Sequence, residues 1–437
     1  MRNIILIFSV IRGAAAAIVG PLLALLLAAI SLLGPRAGRT PAASAASLAL
    51  GVAAVGVGLG LPLAWAGWRA LQGRPSHAFR SLRWWVWLLL FVAVLIFGQA
   101  VAMTGPAVPL MPLFQIAAGA LPPLIFLAWA LDAAGRQSAQ ITRRPMLGSL
   151  SWGGLGGAGL GLIGELLLVI IGFVAVMIVL STTDPELMAR LQTVFAQMEG
   201  SGRGLAMSEL SQLASSPLVV IAALTLLGIL APALEEVAKG LAVPLVAGAG
   251  RRLTRLDGFL FGVAAGAGFA IVEGILNGTL ALRISGVWAG LMVFRGSAAA
   301  MHCLASGLVG MGWQAILVER RWLRGIGLGL LAVLLHGAWN SSAGIIGLNS
   351  LQASGASGPG DMTRLGVTSL LVMFMAVLWL AVVSSLALIP RWIVRQEPPA
   401  DGPDDVEEAD INSEGGLEPA LPTHQPAEAS KLIAVQP

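Results

Sequence analysis

Residues 217–248, PLVVIAALTLLGILAPALEEVAKGLAVPLVAG, carry charge only at Glu235, Glu236 and Lys239. A helix rises about 1.5 Å per residue, so about 20 apolar residues cross the hydrocarbon of a bilayer. This stretch is longer than that and reads as a spanning helix. An ionisable side chain near the bilayer centre costs at least about 2.5 kcal/mol. Two adjacent glutamates and a lysine inside one span therefore point to a function, and to partners on neighbouring helices.

The rest of the chain has the same character. Of 437 residues, 57% are hydrophobic and 11% charged, where a soluble domain carries about 25% charged residues. The mean hydropathy is +0.85. Composition predicts an all-α, polytopic transmembrane helix bundle. Ten candidate spans follow: about 13–34, 45–68, 84–104, 110–132, 155–181, 217–247, 257–281, 287–317, 324–348 and 367–390. The N-terminal apolar run is too long for a signal peptide and has no clear cleavage site, so it reads as the first span. The single cysteine, Cys303, rules out an intrachain disulfide. The net charge is +4 and no basic stretch carries interleaved aromatics, which excludes nucleic acid as a partner. Arginines cluster in alternate loops, at 69–83, 136–144, 251–255, 320–324 and 391–395. By the positive-inside rule both termini are cytoplasmic, although Arg36 and Arg39 depart from the pattern.

Five regions are expected. Residues 1–150 hold spans 1–4, with no assigned role. Residues 151–216 hold span 5 and an external loop. There Thr183 or Asp184 and then Pro185 open a helix with Leu187, Leu191, Val194, Phe195 and Met198 on one face. It lies on the membrane or packs across the bundle mouth. Residues 217–348 form the bundle of spans 6–9, and 349–395 carry the last span. Residues 396–437 are acidic and proline-rich, the composition of a disordered tail.

The ionisable residues inside spans are Glu165, Glu235, Glu236, Lys239, Glu273, Arg295, His302 and His336. All but Glu165 lie on four consecutive helices. Counted from the cytoplasmic helix ends, Glu235, Glu273, His302 and His336 sit at depths of about 18 to 24 Å. Helices running alternately up and down thus bring them to one level near the midplane. Within helices, Glu235 and Lys239 are four apart, Arg295 and His302 seven, and His336 and Asn340 four, so each pair shares a face. Glu236 points about 100° from Glu235. Pro232 and Pro244 can bend span 6 around the doublet. Gly258, Gly262 and Gly266 suit close helix packing. Glu165 reads as a helix contact, Phe269 as packing and Cys303 as a small core residue.

A buried carboxylate beside histidines can activate water, and a nearby lysine or arginine can hold a carboxylate charged or stabilise an oxyanion. Two histidines and a glutamate can also hold zinc. No HExxH is present, so a metal site would be assembled from separate helices. The spacing suits hydrolysis inside the membrane. Proton or ion transport is the rival; it predicts inverted repeats and broken helices, neither of which is legible. A non-catalytic membrane scaffold is the third reading.

Four motifs in order carry a resemblance: EExxK at Glu235, Glu236 and Lys239; FxxxE from Phe269 to Glu273; Arg295 followed by His302; and His336 with Asn340. They resemble the PrsW family of intramembrane proteases, related to the CAAX-processing and bacteriocin-processing membrane proteases. The likeness covers about residues 217–345 and leaves the first five spans uncovered. Gly274 stands where the family often has asparagine. The resemblance implies intramembrane cleavage of a membrane-anchored protein in a bacterial inner membrane. The substrate class it implies is an anti-sigma factor or similar regulator. It makes Glu235 or Glu236 the general base. His302 and His336 bind metal or hold the oxyanion, and Glu273 binds metal or orients water. Arg295 is a charge partner or an oxyanion donor. The expected metal set is His302, His336 and Glu273 with Zn2+; a metal-free glutamate mechanism is the alternative.

Overall fold

Ten helices among the described residues are long and apolar enough to cross a membrane. They are α1 (Leu6–Ile30), α2 (Ala45–Leu71), α3 (Trp84–Thr104), α4 (Met111–Ala134), α5 (Arg143–Thr183), α6 (Pro217–Leu245), α7 (Arg255–Gly278), α8 (Trp288–Leu317), α9 (Trp322–Ser350) and α10 (Met362–Gln396). The computed structural model describes residues 2–33, 42–104, 110–135, 137, 141–186, 188–189, 192–193, 216–247, 253–283, 285–353 and 361–396. No strand occurs among them; one antiparallel bridge joins Ala78 to Thr142. The chain is the all-α bundle its composition predicts.

Three helices reach further than hydropathy suggests. The first is helical from Arg2, because residues 3–11 are mostly apolar and continue the helix. Arg12 therefore lies inside a span. The fifth starts at Arg143 and the last runs over Asp361–Gln396. At the far end of α5 the Asp184 N–H bonds to the Leu180 carbonyl, so Thr183 and Asp184 close that helix. Most of the expected external helix, including Leu187, Leu191, Val194, Phe195 and Met198, lies outside the described residues, as does the tail 397–437.

Two spans are interrupted. In α5 the glycine-rich run Trp152–Gly157 widens into a π-turn. In α6 another wide turn, Leu226–Leu230, lies immediately before Pro232. Proline has no N–H and its ring crowds the carbonyl four residues back, so the helix relaxes into a wider turn there. Such breaks are also used by transporters, so they do not separate the two readings.

The centre of the bundle is α7 against α8, each 78% buried over its most apolar stretch, compared with 17% for α1. A Cβ at Gly262 would meet the Ser306 and Gly307 backbone, and one at Gly266 would meet His302 and Cys303. Small residues let these two backbones approach closely. A capping box fixes the start of α7: Thr254 Oγ1 accepts from the Asp257 N–H, and Asp257 Oδ2 accepts from the Thr254 N–H. Trp288 Nε1 donates to Gln115 Oε1 at 2.7 Å and pins α8 to α4. The outer surface is apolar, with Leu166 and Ile170 on α5 and Leu370 and Val377 on α10 exposed, as lipid-facing positions must be.

Candidate active site

Local sequence rules place the cluster. Gly337 on α9 packs against Gly228 in the wide turn of α6, so the two backbones touch. About two turns further along α6, Glu236 reaches His336. The Gly-rich turn of α5 lies on α6 and α7: Gly157 faces Lys239, and Gly154 faces Gly268. Trp152 Nε1 donates to the Ala238 carbonyl at 2.9 Å and fixes this arrangement.

Lys239 is fully buried, and Glu236 is 1% exposed. The ammonium lies 2.6 Å from Glu236 Oε1, 3.2 Å from Glu235 Oε2 and 3.1 Å from His302 Nδ1. Its three donors thus meet three acceptors, and the Phe269 ring covers it with its centre 4.2 Å away. Such a saturated arrangement is what allows charges to be buried. Glu236 is saturated as well: Ser306 Oγ donates to Oε2 at 3.0 Å, and His336 Nδ1 lies 2.9 Å from Oε1.

The two imidazoles follow one rule. His302 Nε2 lies 2.6 Å from Glu273 Oε2 and donates to it. His336 Nδ1 donates to Glu236. Each ring therefore turns its other nitrogen, with its lone pair, inward. His302 Nδ1 is 3.9 Å and His336 Nε2 is 3.8 Å from Glu235 Oε2. Asn340 Nδ2 lies 3.3 Å from His336 Nε2. Glu273 is in turn held by Arg295 at 2.7 Å and by Asn277 Nδ2 at 3.1 Å.

Ligand-capable atoms of Glu235, His302 and His336 all lie within 4.8 Å of one another. A carboxylate on the outer N–H of each ligating histidine is the usual support of a metal site, and both histidines have one. The donor set, two nitrogens and an oxygen, suits zinc. Bonds of about 2.0–2.1 Å put tetrahedral ligands about 3.4 Å apart. Each nitrogen therefore has to close on Glu235 Oε2 by about half an ångström from 3.9 and 3.8 Å, and the widest pair, within 4.8 Å, by up to about 1.4 Å. Lys239, which meets His302 Nδ1 and Glu235 Oε2, and Asn340, which meets His336 Nε2, are the contacts that compete with a metal for these atoms. The carboxylate in this group is Glu235. The expected ligand Glu273 instead stands behind His302.

All eight expected residues thus meet in one network. The sequence reading passed over Ser306 and Asn277, although each lies four residues from a site residue, His302 and Glu273, on the same helix face. It also read Phe269 as plain packing, whereas the ring caps the ammonium. Glu165, read as a helix contact, lines a cavity of about 680 Å³ with Glu235 and Glu273.

The chain matches the PrsW family intramembrane metalloprotease over residues 166–382. It belongs to the PrsW family. Every residue of the network lies within the matched stretch, whereas α1–α4 lie outside it. No curated protein and no solved structure matches the chain. PrsW membership implies a protease that works inside the membrane. The buried Glu235, with His302 and His336, fits the catalytic site of such a PrsW enzyme.

Proposed function

We propose that the protein is an intramembrane endopeptidase. It cuts a membrane-anchored protein, of the anti-sigma-factor class or a similar regulator, in a bacterial inner membrane. One observation carries this reading: both histidines give one N–H to a carboxylate and turn the other nitrogen toward Glu235 Oε2.

Each side chain has a separate task. Glu235 gives Oε2 to the cluster, and no hydrogen bond among the described residues engages its Oε1. Its side chain borders the cavity, so Oε1 is the proton acceptor for an attacking water. The water oxygen bonds to the peptide carbonyl carbon. The same carboxyl then returns the proton to the amine nitrogen as the C–N bond breaks. Lys239 bridges the two carboxylates of the doublet. Glu236 fixes His336, and Glu273, held by Arg295, fixes His302. Glu235, His302 and His336 would hold a zinc ion, which would supply Lewis-acid polarisation of the carbonyl. A metal-free version has its own support, since Lys239 Nζ already sits 3.1 Å from His302 Nδ1.

The test is cleavage of single-span reporters by the purified full chain, with and without a zinc chelator. Glu235→Gln and His302→Ala should abolish cleavage. Chelator sensitivity selects the metal version, and indifference selects the glutamate alone. Variants that cut like wild type would overturn the assignment.

A further inference from the structure

The cavity beside Glu235 is a groove between α1 and α5. On α1 it is walled by Arg12, Ala16, Val19 and Leu23, whose spacing of four, three and four puts them on one helix face. That face runs about 16 Å. Leu155, Gly159 and Leu162 of α5 line the opposite wall. Val19, Leu23 and Leu162 are all exposed, so the rim opens sideways, toward lipid. Glu235 and Glu273 stand in the groove wall, while Glu236, Lys239 and His336 are not among its lining residues.

Arg12 is unusual within this groove. Its Nε is buried without a hydrogen-bond partner, and no carboxylate among the described residues pairs with it. It lies over the Trp152 ring, 5.1 Å from the ring centre. A guanidinium stays charged in proteins, and inside a span it is costly until an anion meets it.

We infer that this groove binds the membrane segment of the substrate, and that Arg12 pairs with a carboxylate carried by that segment. The inference rests on the proteolytic reading of Glu235 and gives α1, which lies outside the family match, a role in substrate recognition. The spacing is measurable. Arg12 lies level with Trp152, and Glu235 lies beside Gly161, nine residues further along α5. That separation is about 13 Å. An extended strand covers it in about four residues. The recognised carboxylate therefore sits about four residues from the scissile bond. It belongs to an Asp or Glu side chain or to a free C-terminus.

Photo-crosslinking tests this without requiring turnover. Benzophenone is placed at Val19, at Leu162 and, as a control, at the exposed Leu370 of the Glu235→Gln full chain in lipid nanodiscs. The probes are single-span Leu/Ala peptides with an amidated C-terminus and one aspartate at varied depth. Adducts at Val19 and Leu162 should exceed those at Leu370 about tenfold, the effect of one charge-assisted hydrogen bond. They should fall by a similar factor with Asp→Asn in the peptide or Arg12→Gln in the protein. An aspartate-free peptide with a free C-terminus that restores them assigns the terminal carboxylate. Ala16→Trp, which fills the groove, should remove them while size-exclusion profile and Leu370 background stay unchanged. Equal adducts at all three positions, or indifference to Ala16→Trp, overturns the groove. Indifference to Arg12→Gln overturns the carboxylate reader. Adducts at the groove in a protein whose Glu235→Gln variant still cuts reporters would keep the groove and overturn the proteolytic role of Glu235.

Discussion

His336 Nδ1 lies 2.9 Å from Glu236 Oε1, and this contact turns the other ring nitrogen toward Glu235 Oε2 at 3.8 Å. Two neighbouring glutamates thereby take different tasks. About 100° of helix rotation separates them, so one faces the cavity and the other faces inward. Glu236 meets Lys239, Ser306 and His336, is 1% exposed, and does not line the cavity, so no reacting water reaches it from there.

The two amide variants should therefore differ. Glu235→Gln should lower cleavage by about 10²–10⁴-fold, the contribution of a general base. Glu236→Gln should lower zinc affinity or cleavage by about 10–100-fold, as loss of a supporting carboxylate does. Kinetics on reporters and metal titration measure both. Equal losses in every readout would merge the two roles.

Among the described residues Lys239 is the lysine or arginine paired with the buried carboxylates of Glu235 and Glu236. Lys239→Met should destabilise the bundle by about 3–5 kcal/mol, because it leaves buried charge uncompensated. The triple variant Glu235→Gln, Glu236→Gln, Lys239→Met should recover most of that stability while staying inactive. Thermal unfolding in detergent reads both effects. A triple variant as unstable as the single one would mean that the lysine stabilises by packing under Phe269 and not by charge.

Much of this site was legible before any coordinates. Charge inside an apolar run marks function, and depth counting brings Glu235, Glu273, His302 and His336 to one level. Helical period pairs Asn340 with His336. Period and depth fix which face a residue uses, but not which neighbour that face meets. That is why Glu273 was expected as a ligand, although it supports His302, while Glu235 joins the ligand group. Hydropathy alone starts span 1 at residue 13 and leaves Arg12 outside it, whereas the helix runs from Arg2 and carries the arginine stacked on Trp152.

Arg295 reaches Glu273 at 2.7 Å, and Glu273 reaches His302 at 2.6 Å, so Arg295 acts through two other residues. Arg295→Gln should lower kcat about tenfold or more, the worth of one charge-assisted hydrogen bond, with KM little changed. Arg295→Lys should restore part of it. A change confined to KM would instead make Arg295 a substrate contact.

At the end of α8, Glu319 Oε1 lies 2.7 Å from Arg255 Nε at the start of α7, and Oε2 lies 3.0 Å from Arg324 of α9. Burial pushes the carboxyl up, but the Arg255 hydrogen bond and the charges of Arg255, Arg324 and Arg321 outweigh it and hold the group below its usual range. A depressed carboxylate stabilises the fold fully above its unfolded value of about 4.3, and loses that contribution as pH falls through the lower folded value. Unfolding temperatures of wild type and Glu319→Gln should therefore differ by a constant amount between pH 5 and 7 (about neutral and mildly acid conditions). The gap should close as the solution is acidified further, and high salt should narrow it because Glu319 lies beyond the end of α8, where ions screen it. A gap that persists in strong acid would mean that Glu319 joins the three helices by packing alone.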